Sequence, residues 1–563
     1  MTLSWKVLAL SGDRAGLAIT FCAMSVAAVV EIAGVASVAS FVSYIGNPIA
    51  TPPIARIGVD VAAFGDPIVA LGLICFAALL ASNVLQATTT HLLLRFTWST
   101  GATLAGRVFE ASLARSYQQH IETHSSESVV KVLHDVHSAI ANVVIPTLST
   151  IARLMSALAI LVLLMWVDLK VSLIALLVAA GSYTVVFLML AAGIARLGKR
   201  SYAGRLAMYK IASDVFAAIA EVKVFRAERI FLDRFGETSR SSAESEARSQ
   251  MMRQLPRYLV ETIAFGGMVV IVVVSAAIMG PSDALLPLLS IYAVAAWRLL
   301  PAAQQIFSNV TSIRHHWPSV EAVSNLLTES ASIASTTVAG RDDTTSRHLV
   351  DAEGSSPLLE FRGVEFGYNP GQSVLSDLHL RIDRGEKVGI IGRSGAGKTT
   401  FLALCLGLLA PREGGIFYLG FPHSANSASP IGYVPQFPRF FDDTIRFNIT
   451  LGDDAADGDE KIWSILRSTD LADVISRLPA GLETRLGEQG SGLSGGQLQR
   501  LALSRALHVN PEFVVLDEFT SSLDAVTEQS ILETLRVVLK DRTALIVTHR
   551  REVLEICTRV VRI

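Results

Sequence analysis

Gly392-Arg393-Ser394-Gly395-Ala396-Gly397-Lys398-Thr399-Thr400 decides how the second half of the chain folds. A glycine, four residues and then Gly-Lys-Thr is the phosphate-loop spacing. The preceding Lys387-Val388-Gly389-Ile390-Ile391 reads as a buried strand, and the following Phe401-Leu402-Ala403-Leu404-Cys405-Leu406 as a helix. Strand, glycine loop and helix are the context the motif requires. The glycines let backbone N–H groups turn inward onto phosphate oxygens, and the helix start adds partial positive charge. Lys398 is expected to reach the outer phosphates and the Thr399 hydroxyl to hold Mg²⁺.

The 563 residues exceed what one core organises, so at least two domains are expected. Hydrophobic residues make up 51 %, and the mean hydropathy of +0.46 directs attention to membrane spans. A net charge of −2 argues against a strongly basic nucleic-acid binder, so no nucleic-acid partner is expected. Cys22, Cys75, Cys405 and Cys557 stand far apart and have no metal-ligand spacing, so buried thiols are expected.

Residues 1–325 carry six apolar stretches, each near the ~20 residues a helix needs to cross a bilayer. Their cores are Leu17–Ile45, Ile68–Leu94, Ile140–Val167, Val171–Ile194, Tyr258–Ile278 and Ala284–Val310. The first is read as a retained span rather than a cleaved signal. The gaps 95–139 and 195–257 are long and helical in pattern. The second holds thirteen Lys and Arg, whereas the gap after the first span holds one, Arg56. By this bias the long gaps and both termini are cytoplasmic. Within the second gap, Glu221-Val222-Lys223-Val224-Phe225 fits two readings, a solvated amphipathic helix and a short helix docking into a nucleotide-binding domain. Residues 326–357, rich in Ser, Thr, Asp and Gly, read as a linker. From Leu358 onward strands alternate with helices.

Further chemistry follows the phosphate loop. Asp517-Glu518 closes the apolar run Phe513-Val514-Val515-Leu516. A carboxylate ending a buried strand beside a phosphate loop can hold Mg²⁺ through water, which is the reading of Asp517. Glu518 is placed to polarise an attacking water. Leu493-Ser494-Gly495-Gly496-Gln497 opens another helix with anion-binding character.

With that pentapeptide in place, the chain resembles the ATP-binding cassette (ABC) transporters. The resemblance implies an α-helical six-span membrane domain of the ABC exporter type, residues 1–325. An α/β P-loop NTPase cassette with a helical subdomain, residues 358–563, follows it. It implies ATP and Mg²⁺ as cofactors and a homodimer in which Ser494, Gly495, Gly496 and Gln497 face the phosphate loop of the second subunit. It also implies that Tyr368 stacks on adenine, Gln436 touches Mg²⁺, Glu488 lies in an exporter cross-talk loop, Asp524 contacts the dimer partner and His549 contacts the γ-phosphate. The Glu221–Phe225 segment resembles an exporter coupling helix. Such cassettes usually run through a further strand pair beyond the switch histidine, so a shortened last part is expected where the chain stops at Ile563.

Cargo must be read from the spans. Glu31, Arg153, Arg257, Glu261 and Arg298 are ionisable residues at membrane depth. Intramembrane pairing and a substrate role both fit them. Pro256-Arg257-Tyr258-Leu259-Val260-Glu261, Trp297-Arg298-Leu299-Leu300-Pro301 and Asp443-Thr444-Ile445-Arg446-Phe447-Asn448-Ile449-Thr450 resemble the bacterial lipid-linked oligosaccharide flippases of N-glycosylation, PglK and its relatives. That resemblance implies a bacterial inner-membrane protein that moves an amphipathic anion such as a lipid-linked saccharide, with Arg257, Arg298 and Glu31 in the substrate cavity. The alternatives are a lipid or multidrug exporter, and a non-transporting ABC sensor or regulatory protein.

Overall fold

The computed structural model describes residues 13–46, 66–122, 125–167, 169–279, 285–339, 357–369, 371–393, 395–423, 431–453, 458–487, 492–521 and 523–563. Ser394, Glu488 and positions 340–356 of the expected linker lie outside the described residues.

The chain divides into two compact units. One comprises Met1–Arg115 and Glu122–Gly340, the other Ser116–Ile121 and Arg341–Ile563. The first unit is helical. Its long helices are Arg14–Gly46, Pro67–Leu113, Ile145–Val167, Leu169–Ala217, Glu228–Met279 and Leu285–Ala339. Each carries one expected span. Among the described residues, Arg14–Val42, Ile68–Leu113 and Glu127–Trp166 are long and apolar enough to cross a membrane. At ~1.5 Å per residue, the 52-residue helix Glu228–Met279 is roughly 78 Å long, far beyond a ~30 Å hydrocarbon core. The long polar gaps are thus the outer parts of the same helices that hold the apolar stretches.

The packing of this unit is inverted relative to a water-soluble bundle. Leu73, Phe76, Leu158 and Trp166 face outward, whereas Glu31, Ser37, Ser40 and Ser82 are buried. Apolar side chains outside and polar ones inside are what a lipid surround selects. Toward the other end of the bundle, Val130–Asp135 and Ile140–Val144 widen into π-helical turns. They present Ile140, Val143 and Val144 to a core with Phe96, Val108, Val320 and Val323. Asp135 is fully buried there and accepts from Tyr202 (2.9 Å) and Ser319 (3.0 Å).

Two expectations need correction. Residues 326–339 are not linker, because the last long helix continues through them to Ala339. Ser and Thr content misled because such hydroxyls can turn back onto a helix, as two do here. Thr328 bonds the Ser324 carbonyl at 2.8 Å and Ser330 the Leu327 carbonyl at 3.0 Å. The cassette unit also includes a piece of the first half, since Ser116–Ile121, within the short helix Tyr117–Glu122, packs with it.

The second unit holds two sheets. One is antiparallel, in the order β2-β1-β4-β5, with β1 Leu359–Phe366, β2 Leu375–Ile382, β4 Glu413–Tyr418 and β5 Phe421–Pro422. The other is parallel, in the order β6-β7-β8-β3-β9, with β3 Lys387–Ile391, β6 Ile431–Val434, β7 Phe513–Asp517, β8 Thr543–Val547 and β9 Arg559–Arg562. β8 is buried at every position and β7 at all but its last, the continuous apolar pattern of a covered parallel strand. Between the sheets, Phe361 and Phe401 meet at 5.3 Å. The final described segment, β9, pairs with β3 at the sheet edge.

One close approach in the helical unit is set by a glycine. A Cβ on Gly198 would sit 2.1 Å from the His315 carbonyl oxygen, so the helices Leu169–Ala217 and Leu285–Ala339 meet backbone to backbone there. Gly198→Ala should therefore lower stability by about 1–3 kcal/mol through overpacking, read as a reduced thermal midpoint of the full chain in detergent. An unchanged midpoint would mean that the two helices separate freely at this point.

Candidate functional site

The parallel strand order assembles the site. Residues at the carboxyl ends of adjacent parallel strands share one crevice. Gln436 follows β6, Glu518 follows β7, His549 follows β8 and the phosphate loop follows β3. These four strands adjoin, so positions spread over more than 150 residues become neighbours.

Glu518 is the centre of the cluster. Its backbone adopts φ +38°, a left-handed conformation that a non-glycine residue keeps only when its surroundings hold it. Here its N–H bonds the Val547 carbonyl at 2.9 Å and its carbonyl receives the Ser521 N–H at 2.9 Å. The side chain then sits among donors. Gln436 donates to Oε2 at 3.1 Å. Lys398 Nζ and His549 Nε2 each lie 3.6 Å from Oε1. Lys398 also hydrogen-bonds His549, and donates to the Gly392 carbonyl at 2.9 Å.

Asp517, one residue earlier, is set in a different environment. Burial, reinforced by the adjacent Glu518 charge and opposed by Lys398, pushes its carboxyl up to about 6. A half-buried carboxylate at the phosphate loop is a setting for a divalent cation. The oxygen-donor set of Asp517, the exposed Thr399 and Gln436 fits Mg²⁺. When bound with ATP, that ion neutralises phosphate charge.

In the loop, Gly395 (φ +81°) and Gly397 (φ +91°) take conformations that side chains resist, and Lys398 opens the helix Lys398–Cys405. Arg393 is exposed and Ala396 half-buried. At Gly392 a Cβ would stand 2.6 Å from the Ile563 carbonyl oxygen, so the loop base requires glycine. Thr400 is buried and its hydroxyl meets the Tyr368 hydroxyl at 3.2 Å. Tyr368 rests edge-on against Phe366 and keeps 36 % exposure, which leaves part of its surface open beside the loop.

Ser494 and Gln497 satisfy one another. Ser494 caps the helix Gly495–His508 by accepting the Gln497 N–H, and the Gln497 side chain accepts the Ser494 N–H at 2.8 Å. This capping box holds Gly495 and Gly496 at the helix start. Asp524 caps the next helix, Ala525–Val538, accepting from the Val526 and Thr527 backbone and from the Thr527 hydroxyl. These bonds hold its carboxyl below the usual range.

Two supports had no signal in the motif reading. Gln499 donates to the Gln436 carbonyl at 3.1 Å and so ties the helix Gly495–His508 to the site. Arg550 pairs with Glu528 and donates to the Ser521 carbonyl at 3.1 Å, which braces the turn after Glu518. Gln499 lies two residues beyond the signature and Arg550 one beyond His549, so proximity to a motif was the available clue.

The expected cavity residues are paired. Arg298 lies 3.7 Å from the buried Glu31 and over the ring of Trp297. Arg257 pairs with Glu261 at 2.8 Å, one helical turn on, and Arg153 donates to Gln305 at 2.9 Å.

Residues 375–521 match the ABC transporter family. The whole fold is that of a solved bacterial Atm1-family ABC exporter with ATP bound, at TM-score 0.79 over 98 % of this chain and 93 % of that one, with 21 % identity. The cassette unit is of the ABC transporter type. Among curated relatives, an ATM1-type heavy metal exporter of Novosphingobium aromaticivorans is 40 % identical over 34 % of this chain and 32 % of its own length. A human mitochondrial iron-sulfur clusters transporter, ABCB7, is 38 % identical over 34 % of this chain and 26 % of its own length. The chain thus spans between about a quarter and a third of these relatives. An ATP-dependent lipid A-core flippase of Alcanivorax borkumensis is 27 % identical over 81 % of this chain and 77 % of its own length. The fold class is as expected, a helical membrane domain followed by an ABC cassette.

The raised Asp517 carboxyl sets a pH dependence. Its unfolded value is ~3.9, so the folded state favours the protonated form; that contribution is full below ~3.9 and is lost as pH rises through about 6. Asp517→Asn should therefore raise the thermal midpoint of the nucleotide-free protein more at pH 8 than at pH 5. A larger gain at pH 5 would reverse the assignment.

Proposed function

We propose that two copies of this chain form an ATP-driven exporter or flippase for an amphipathic, anionic substrate such as a lipid-linked oligosaccharide. Its place is a bacterial inner membrane, with cassettes and both termini on the cytoplasmic side. The observation that carries the catalytic part is the Glu518 carboxylate held among Lys398, His549 and Gln436. In this reading Lys398 moves from Glu518 and His549 onto the incoming phosphates. Glu518 is then free to take the proton of a water whose oxygen bonds the γ-phosphorus as the bond to the ADP oxygen breaks. His549 orients the γ-phosphate, and Tyr368 offers its open surface to adenine. Ser494 with its glycines serves the phosphate loop of the second copy, and Asp524 sits at that dimer contact.

The short helix Ile219–Val224, with Phe225 at its end, supports a partner for each chain. Val222 is buried, but Val224 (75 % exposed) and Phe225 (78 %) stand outward beside the Lys223–Glu228 pair. An apolar tip of this kind suits docking onto a second copy. For the substrate, support comes from the flippase-like motifs around Arg257, Arg298 and Arg446, and from the length of the likeness to a lipid A-core flippase. A second reading, a lipid or drug exporter with a less selective cavity, is favoured by one observation. Glu31 already offsets the Arg298 charge. A non-transporting sensor fits less well, since Glu518 and His549 stand together at the phosphate loop.

Glu518→Gln should keep ATP binding and lower turnover by about 10²-fold or more, the range for loss of a general base. Turnover at the wild-type rate would remove Glu518 from that role. Arg298→Gln and Glu31→Gln separate the cavity readings. If Arg298 meets the substrate, its loss abolishes substrate stimulation while Glu31→Gln retains it. If the two serve only each other, both variants lose stability alike and the double variant recovers part of it.

A further inference from the structure

Glu246, His315 and His316 converge from two helices of the membrane unit, Glu228–Met279 and Leu285–Ala339. One ligand atom of each lies within 4.8 Å of the other two. His315 is 2 % exposed and His316 8 %, while the Glu246 side chain keeps 32 %, a route in from solvent. His315 Nε2 and Glu246 Oε2 stand 2.9 Å apart. The other ring nitrogen of His315, Nδ1, is buried with no hydrogen-bond partner, and so is the Ser249 hydroxyl. A shared ion would take the Nε2 edge that faces Glu246.

The surroundings are built as an outer shell. Arg253 donates to Glu246 Oε1 at 3.2 Å and leaves Oε2 toward the histidines. Ser138 meets His316 Nδ1 at 3.3 Å and fixes that ring, which stands at 75° to His315. Partners of this kind orient ligands and hold the imidazole tautomer. Arg253 is a neighbouring cation, but its charge is committed to the carboxylate.

We propose that Glu246, His315 and His316 form a binding site for a zinc-class divalent cation, joining these two helices. Two imidazoles and one carboxylate suit zinc and its neighbours rather than Mg²⁺ or Ca²⁺, which take oxygen ligands. Bond lengths of about 2.0–2.2 Å set ligands in a tetrahedron roughly 3.4 Å apart. The 2.9 Å contact need open by only about 0.5 Å to admit the ion. A fourth position remains for water. His315 also forms the backbone contact with Gly198 of the helix Leu169–Ala217, so an ion there would lie beside a point where a third helix is held close.

The test uses the full chain in lipid nanodiscs, stripped with a chelator and then titrated with Zn²⁺ against a chromophoric competitor. The site predicts one zinc per chain retained through gel filtration. Glu246→Gln and His316→Gln should each weaken binding by at least about 10-fold, and Ser138→Ala by about 10-fold. His379→Gln, at an exposed histidine, should change nothing. Should the ligand variants fail to fold, Co²⁺ in the wild-type protein decides, with a tetrahedral visible spectrum supporting the site and a hexaaqua-like one overturning it. Retention by the variants equal to wild type, or none in wild type, would leave His315 and Glu246 an ordinary ion pair.

Discussion

The side-by-side pairing of β6, β7, β8 and β3 is the constraint on which the cassette depends. Asp517 stands opposite Val547, and Ile390 opposite Val547 on the other side, so three strand ends finish level with one another. That level finish brings His549 and Lys398 within reach of one carboxylate oxygen of Glu518. The turn at Glu518 adds the last adjustment, because its left-handed backbone aims the carboxylate back toward the loop. β7 and β8 are buried on both faces, so the strand ends that carry the site are anchored in the core.

The membrane unit obeys a different solvent. Many apolar side chains such as Leu73, Phe76 and Trp166 face outward, while Glu31 is buried against Arg298. The helices continue well past any bilayer, and their polar ends are held by hydroxyls and carboxylates. Asp135 with Tyr202 and Ser319 is one such knot, and Glu246 with Arg253 and His315 another. These buried polar contacts specify which helix faces which, where apolar packing alone is permissive.

Much of this was legible in the sequence because the relevant signals are local. The phosphate loop, the Asp-Glu after an apolar strand and the Leu-Ser-Gly-Gly-Gln signature each carry their own context, and the structure sets Lys398, Glu518, His549 and Gln436 into one cluster. The apolar stretches likewise declared six long helices. What composition hid depended on contacts distant in sequence. Residues 326–339 looked like linker because they are rich in Ser and Thr, and only the helix shows Thr328 and Ser330 bonded back to its own carbonyls. The packing of Ser116–Ile121 with the cassette unit, and the meeting of Glu246 with His315 and His316, arise from folding over some 70 residues or more and leave no local trace.

The central claim is that ATP turnover at Glu518 is coupled to an amphipathic anionic cargo. The most direct measurement is ATPase activity of the purified protein in lipid nanodiscs, with and without a polyprenyl-pyrophosphate oligosaccharide, alongside a panel of cationic drugs. Stimulation by the glycolipid alone is the result this account predicts. Stimulation by the drugs alone would contradict it.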